Sequence, residues 1–234
     1  MSDAAFTRAR WYRMFDPNPA AYGCVEIDPT EAFHWNDEDH QFGIFWAVNN
    51  FTGRRLKANL EKITSWAVDI DLGTKADQLA LIHKFLPPSF IVETKRGYQV
   101  YYDAIDATVE NFETIMTEHL IPNLNGDRKA ADLCRIMRVP GTYHWKDPEN
   151  PFLCKAFSES NFRYKESDVI ARFPKHAKRN DQRDLIARVK RDVSTTGDEN
   201  LWQRVWVMDC EDALNRISGT DTMGGENVSF KRVS

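Results

Sequence analysis

The sequence predicts an α+β fold, with helices packed on a largely antiparallel sheet. Strand-like and helix-like segments are mixed along the chain instead of alternating regularly, which argues against a parallel α/β sheet. Trp66–Leu72 is apolar and β-prone, and Gly73 ends it. Phe90–Thr94 and Tyr98–Tyr102 flank Lys95-Arg96-Gly97, the pattern of a hairpin, whose strands must pair antiparallel.

The elements follow in order. Trp11, Tyr12 and Phe15 suggest one face of a short helix, broken by Asp16-Pro-Asn-Pro. Gly43–Val48 is an apolar strand closed by Asn49-Asn50 and Thr52-Gly53. Residues 56–64 suggest a helix packed on a sheet. After the Trp66–Leu72 strand, Asp77–Phe85 reads as a helix stopped by Pro87-Pro88. Following the hairpin, Val109, Phe112, Ile115, Met116 and Leu120 share one side of a helix. Asp132–Arg138 reads either as a strand or as a short helix before Pro140-Gly141, and Phe152–Phe157 as one more strand. Beyond Lys175 the composition becomes strongly charged and then helical over 200–217. Residues 1–175 are therefore expected to form one domain, and 176–234 a charged linker and helical segment. Residues 229–233 look like a strand interrupted by the end of the chain, as expected of a fragment.

Of 234 residues, 42% are hydrophobic and 28% charged, the profile of a soluble globular protein. No apolar run is long enough to span a bilayer, and residues 1–10 lack the apolar stretch of a secretory signal, so the expected location is the cytoplasm. Cys24, Cys134, Cys154 and Cys210 form no CxxC pair, which argues against a zinc site or a disulfide framework. The net charge of −4 argues against indiscriminate duplex coating. Eight Lys or Arg residues between Arg172 and Arg191 offer either a local phosphate-binding surface or a solvated helix.

Asp69 and Asp71 sit in Val68-Asp69-Ile70-Asp71-Leu72. On a strand both carboxylates project to one side, while Val68, Ile70 and Leu72 anchor the other in the core. Aspartate is a poor strand former, and two on one face repel, so a shared hard cation explains the pattern better than chance. Two exposed aspartates on a wet sheet face remain the alternative. Asp132 is the candidate third acid, with Asp127 second. A helical turn would put Asp132 and Arg135 on one face, with Arg138 close by, and Asp132 is equally suited to be an N-cap.

Lys95 and Arg96, in the hairpin turn, are candidate triphosphate holders, and Gly97 lets the chain turn tightly. Gln99 is suited to a phosphate oxygen or a metal-bound water. Arg138, Thr142, His144 and Lys146 surround a Pro-Gly turn, a donor-rich loop suited to an anion, with Trp145 available to stack on a base.

Three motifs, in order, resemble the catalytic domain of the archaeo-eukaryotic primase superfamily, especially phage and plasmid primase-polymerases and RepB-like primases. They are Val68-Asp69-Ile70-Asp71-Leu72, the hairpin Glu93–Tyr102, and Asp132-Leu-Cys-Arg-Ile-Met-Arg-Val-Pro-Gly-Thr142, spanning about residues 40–157. The third motif is the specific one. The resemblance implies an RRM-like sheet beside a second α/β unit. It implies two divalent ions, Mg²⁺ or Mn²⁺, on Asp69, Asp71 and Asp132. It implies Lys95, Arg96, Gln99, Arg135, Arg138, His144 and Lys146 facing the incoming nucleotide. Gln99 stands where many relatives carry His, and His144 where many carry Asn. The implied activity is template-directed nucleotidyl transfer from NTP or dNTP on single-stranded DNA during replication, with a helicase domain or subunit as partner.

Two other readings compete. Asp71, Glu93 and Lys95 satisfy the loose D…ExK pattern of metal-dependent nucleases, which leaves the Arg138–Lys146 turn without a role. A non-catalytic single-strand binder would stack bases on Tyr98, Tyr101 and Tyr102.

Overall fold

The computed structural model describes residues 10–157 and 162–176. The chain divides into two units after His176, and every described residue belongs to the first. The basic stretch beyond residue 176, the expected helix over 200–217 and the expected final strand lie outside the described residues.

The strands and helices run β1 (Trp11–Phe15), β2 (Cys24–Ile27), α1 (Ala32–Trp35), β3 (Phe42–Ala47), β4 (Asn50–Phe51), β5 (Leu60–Lys62), β6 (Ser65–Ile70), α2 (Lys75–Ile82), β7 (Phe90–Glu93) and β8 (Tyr98–Asp103). Next come α3 (Val109–Thr114), α4 (Ile121–Leu124), β9 (Ile136–Arg138), β10 (Tyr143–His144), β11 (Phe152–Leu153), β12 (Lys155–Phe157) and α5 (Glu166–Arg172). A π-helical turn, Ile115–Leu120, joins α3 to α4. Two four-stranded antiparallel sheets result, ordered β2-β1-β3-β9 and β12-β7-β8-β6. The mixed antiparallel architecture is the expected one.

Aromatic packing joins the sheets. Trp46 of β3 is fully buried and donates Nε1–H to the Tyr101 hydroxyl of β8 at 3.0 Å. Tyr101 in turn stacks on Phe90, with ring centroids 4.0 Å apart. Tyr98, Tyr101 and Tyr102 are 5%, 0% and 0% exposed. Their rings are part of the core and offer no surface for base stacking, which removes the feature on which the single-strand-binder reading rested.

Five expectations change. Residues 152–157 form two strands instead of one, β11 paired with β10 and β12 with β7, with the break at Cys154. Trp11–Phe15 is a strand, since Trp11 and Tyr12 alternate between two apolar clusters on opposite sides of the sheet. Residues 56–64 form a 3₁₀ turn (Lys57–Asn59) and the short strand β5, paired with β4. The strand carrying the acids stops at Ile70, so Asp71 lies past its end and Leu72 is 73% exposed instead of anchored. Residues 131–135 are irregular, with a turn at 133–134, and only Ile136–Arg138 is strand.

Gly97 is required for a reason other than turn geometry. A Cβ there would sit 1.8 Å from the Ile70 carbonyl oxygen and 2.6 Å from Gln78 Oε1, so the hairpin closes directly over the end of β6. Backbone cannot yield as a flexible side chain can. Gly97→Ala is therefore expected to cost about 3 kcal/mol or more, read as a lowered urea midpoint. A midpoint equal to that of the wild type would mean that this contact is absent.

Candidate active site

The site gathers where β6 ends, beneath the β7–β8 hairpin turn. Asp69 lies opposite Gln99 in the β6–β8 register. The Gln99 side chain, across the strand pair, eases the charge of the Asp69 carboxylate, and its Oε1 accepts the Arg138 backbone N–H at 3.0 Å. One buried amide thus ties the acidic strand of one sheet to β9 of the other.

Asp69 is held in a costly state. Burial, then the charges of Asp71 and Asp127, push its carboxyl up to about 6, against the relief given by Arg135. The Arg135 guanidinium lies 3.8 Å from Asp69 and 4.0 Å from Asp127, beyond hydrogen-bond reach of both, and its buried Nε has no hydrogen-bond partner among the described residues. Asp71 accepts a hydrogen bond from Arg96, whose side chain is largely exposed.

Asp127, weighed second in the sequence, is the third acid acting on Asp69. Its backbone N–H donates to the Asp69 carbonyl at 2.7 Å. Gly126 makes this approach possible, because a Cβ there would meet Val68 Cγ1 at 2.3 Å. Asp132 does not join this group. Both acids are exposed and accept the N–H two residues on, Asp127 from Lys129 and Asp132 from Cys134, and the difference is that only Asp127 is among the charges that act on Asp69. Among the described residues, no three carboxylates lie with their oxygens mutually within 4.8 Å.

The basic residues fall into two groups. Arg138 commits both terminal nitrogens to Asp16, at 2.7 and 2.8 Å, and its guanidinium lies over the Phe45 ring. Asp16 is 3% exposed and also accepts the Trp145 N–H at 2.8 Å. Gly43 leaves room for this pair, since a Cβ would lie 2.6 Å from both Asp16 oxygens. Trp145 itself is buried and donates its indole N–H to the Asn36 carbonyl, so it is unavailable to stack on a base. Around His144 stand three cations, of which Arg138 is paired with Asp16 and Lys95 with Asp147. His144 is 8% exposed, and neither ring nitrogen has a hydrogen-bond partner among the described residues. Burial, then Arg138, Lys146 and Lys95, hold its imidazole down to about 4, with Asp16 opposing. Lys95 is tethered to Asp147 and to the Asn150 carbonyl, both at 2.8 Å. Lys95 and Arg96 therefore connect the His144 loop to the acidic end of β6.

The nuclease pattern has no common geometry here. Glu93 pairs with Lys75 at 2.7 Å, while Lys95 points to Asp147.

Two aspartates and a third acid crowd one strand end, and the hairpin residues Lys95 and Arg96 link that end to the loop that carries a neutral buried imidazole. Such a set can hold a divalent cation next to a polyanion. Sequence reasoning missed Asp16, Asn36 and the close-approach roles of Gly43 and Gly126. Only Asp16 carried a signal, as an acid ahead of the Pro17-Asn-Pro19 break.

The fold is shared with a solved structure. The AEP domain of the cyanophage S-2L primase-polymerase superposes with a TM-score of 0.60 at 15% identity, covering 70% of this chain and 88% of that one. Primase RepB′ aligns at a TM-score of 0.48 and 15% identity, over 83% of this chain and 65% of that one. A replication initiation protein of Bacillus anthracis is 35% identical over 78 residues, 31% of this chain, and the chain covers 15% of that protein's length. No protein-family model matches the chain. No helix among the described residues is long and apolar enough to cross a membrane.

Proposed function

We propose that this chain, with its archaeo-eukaryotic primase fold, is the catalytic domain of a DNA primase-polymerase, with the sheet β12-β7-β8-β6 as its RRM-like core. The observation that carries this reading is the overcrowded Asp69 carboxyl. An acid raised to about 6 by burial and by two other carboxylates is relieved by a cation, and the residues present fit a hard divalent ion.

Asp69 and Asp71 would hold Mg²⁺ or Mn²⁺, with Asp127 as the nearest third acid. When bound, the ions lower the pKa of the attacking hydroxyl and neutralise charge on the triphosphate. The chain's own residues position the reactants. His144, neutral at physiological pH, offers one donor and one acceptor to the nucleotide, flanked by the charges of Lys146 and Lys95. Arg135, loosely held, is free to turn toward a phosphate. Gln99 fixes Asp69 relative to the Arg138 backbone, and Arg138 keeps the loop in shape through Asp16. Attack on the α-phosphorus releases pyrophosphate, and catalysis rests on position and charge neutralisation. Single-stranded DNA is the template, and a helicase domain or subunit is the expected partner.

The test is a primer-free assay on circular single-stranded DNA, with Mn²⁺ or Mg²⁺ and with ribo- or deoxynucleotides. New strands that depend on both metal and nucleotide are the expected product. DNA cleavage without nucleotides would instead identify a nuclease, and metal-independent binding alone a passive module.

A further inference from the structure

A second group of metal-ligating side chains lies away from the aspartates. His34, Asp37 and His40 each offer one ligand atom within 4.8 Å of the other two. The two imidazole rings lie 4.5 Å apart, centroid to centroid. Asp37 Oδ1 accepts from His40 Nδ1 at 2.7 Å and from the His40 backbone N–H at 2.8 Å, which fixes that carboxylate against the ring.

The base under these residues is firm. Asn36 is buried and bonds the Phe42 and Tyr143 carbonyls at 2.7 and 2.8 Å, and its Oδ1 accepts the Tyr143 N–H. Trp35 packs against both His40 and Phe42. Glu38 and Asp39 follow Asp37 and add negative charge, while the Arg13 guanidinium is spent on the Trp35 face at 3.9 Å.

We infer that His34, Asp37 and His40 form a binding site for one borderline divalent ion of the zinc class, which braces the segment clamped to the His144 loop. Two imidazoles and one carboxylate suit zinc, whereas the hard ions proposed for Asp69 and Asp71 prefer oxygen alone. Zinc bonds of 2.0–2.2 Å in a tetrahedron place donors roughly 3.4 Å apart. Asp37 Oδ1 and His40 Nδ1, now 2.7 Å apart, part to that spacing when the ion replaces the proton between them, and the exposed His34 ring can swing to close the remaining gap. The ion takes the place of the proton between Asp37 and His40, so binding weakens as the pH falls.

The test is calorimetric titration of the untagged, chelator-treated full chain with ZnCl₂ at about pH 7.5, and again at about pH 5.5, below the ordinary imidazole value. One equivalent should bind at the higher pH, both in the wild type and in an Asp69→Asn, Asp71→Asn double variant. Affinity should fall at least about tenfold, a loss that even an outer-shell partner can cause, in His34→Gln and in His40→Ala. Circular dichroism of each variant checks that it folds, and His34 is exposed enough that its replacement leaves the core intact. Absence of saturable zinc binding, or zinc binding unchanged in the two histidine variants, overturns the assignment.

Discussion

Asp69→Asn is expected to raise the melting temperature of the metal-free protein near pH 8 while removing nucleotide incorporation. The Asp69 carboxyl titrates near 6 in the fold and near its ordinary 3.8 when unfolded, so between those values the native state binds more protons. Stability therefore falls as the pH rises through that window, and the full penalty is present above about 6. Asparagine carries no charge and keeps an acceptor for Gln99. The gain should be on the order of 2 kcal/mol, or roughly 5 °C for a chain of this size, and it should shrink as the pH falls toward about 4. Adding Mn²⁺ should stabilise the wild type and not the variant. Incorporation should drop on the order of a thousandfold, the several kcal/mol that a bound ion contributes to such a transition state. A melting temperature lowered at pH 8 would show that Asp69 is not a strained acid. Incorporation at the wild-type rate would remove it from the chemistry.

The other large effect concerns the link between Asp16 and Arg138, a buried ion pair with side-chain exposures of 3% and 11%. Asp16→Ala leaves a guanidinium and the Trp145 N–H without their acceptor. Breaking one side of such a pair costs about 3–5 kcal/mol, chiefly because the remaining charge is stranded. The urea midpoint should fall accordingly. An Asp16→Ala, Arg138→Met double variant should recover much of the loss, since no charge is then left unpaired. A single variant that costs less than about 1 kcal/mol, the worth of a surface pair, would mean that the pair is solvated and does not hold the loop.

The legibility of the site followed how local its causes were. Val68-Asp69-Ile70, the hairpin around Lys95-Arg96-Gly97 and the donor-rich 138–146 turn could be read because alternation, turn chemistry and composition act over a few residues. The same logic misread Trp11–Phe15, where adjacent aromatics fit a helix face as well as a strand joining two cores. It also carried the acidic strand two residues too far, to Leu72, since nothing local marks Ile70 as the last paired residue.

By itself the sequence determined the antiparallel α+β character, the β6–α2–β7–β8 succession and the residue types from which the site is built. Tertiary structure alone decided which acid stands beside Asp69: Asp127 approaches because Gly126 leaves no Cβ in the way and its backbone N–H bonds the Asp69 carbonyl. Tertiary structure also decided that Arg138 answers to Asp16, 122 positions earlier in the chain. Such pairings depend on which surfaces the two sheets bring together, and chain spacing holds no record of a contact made by packing.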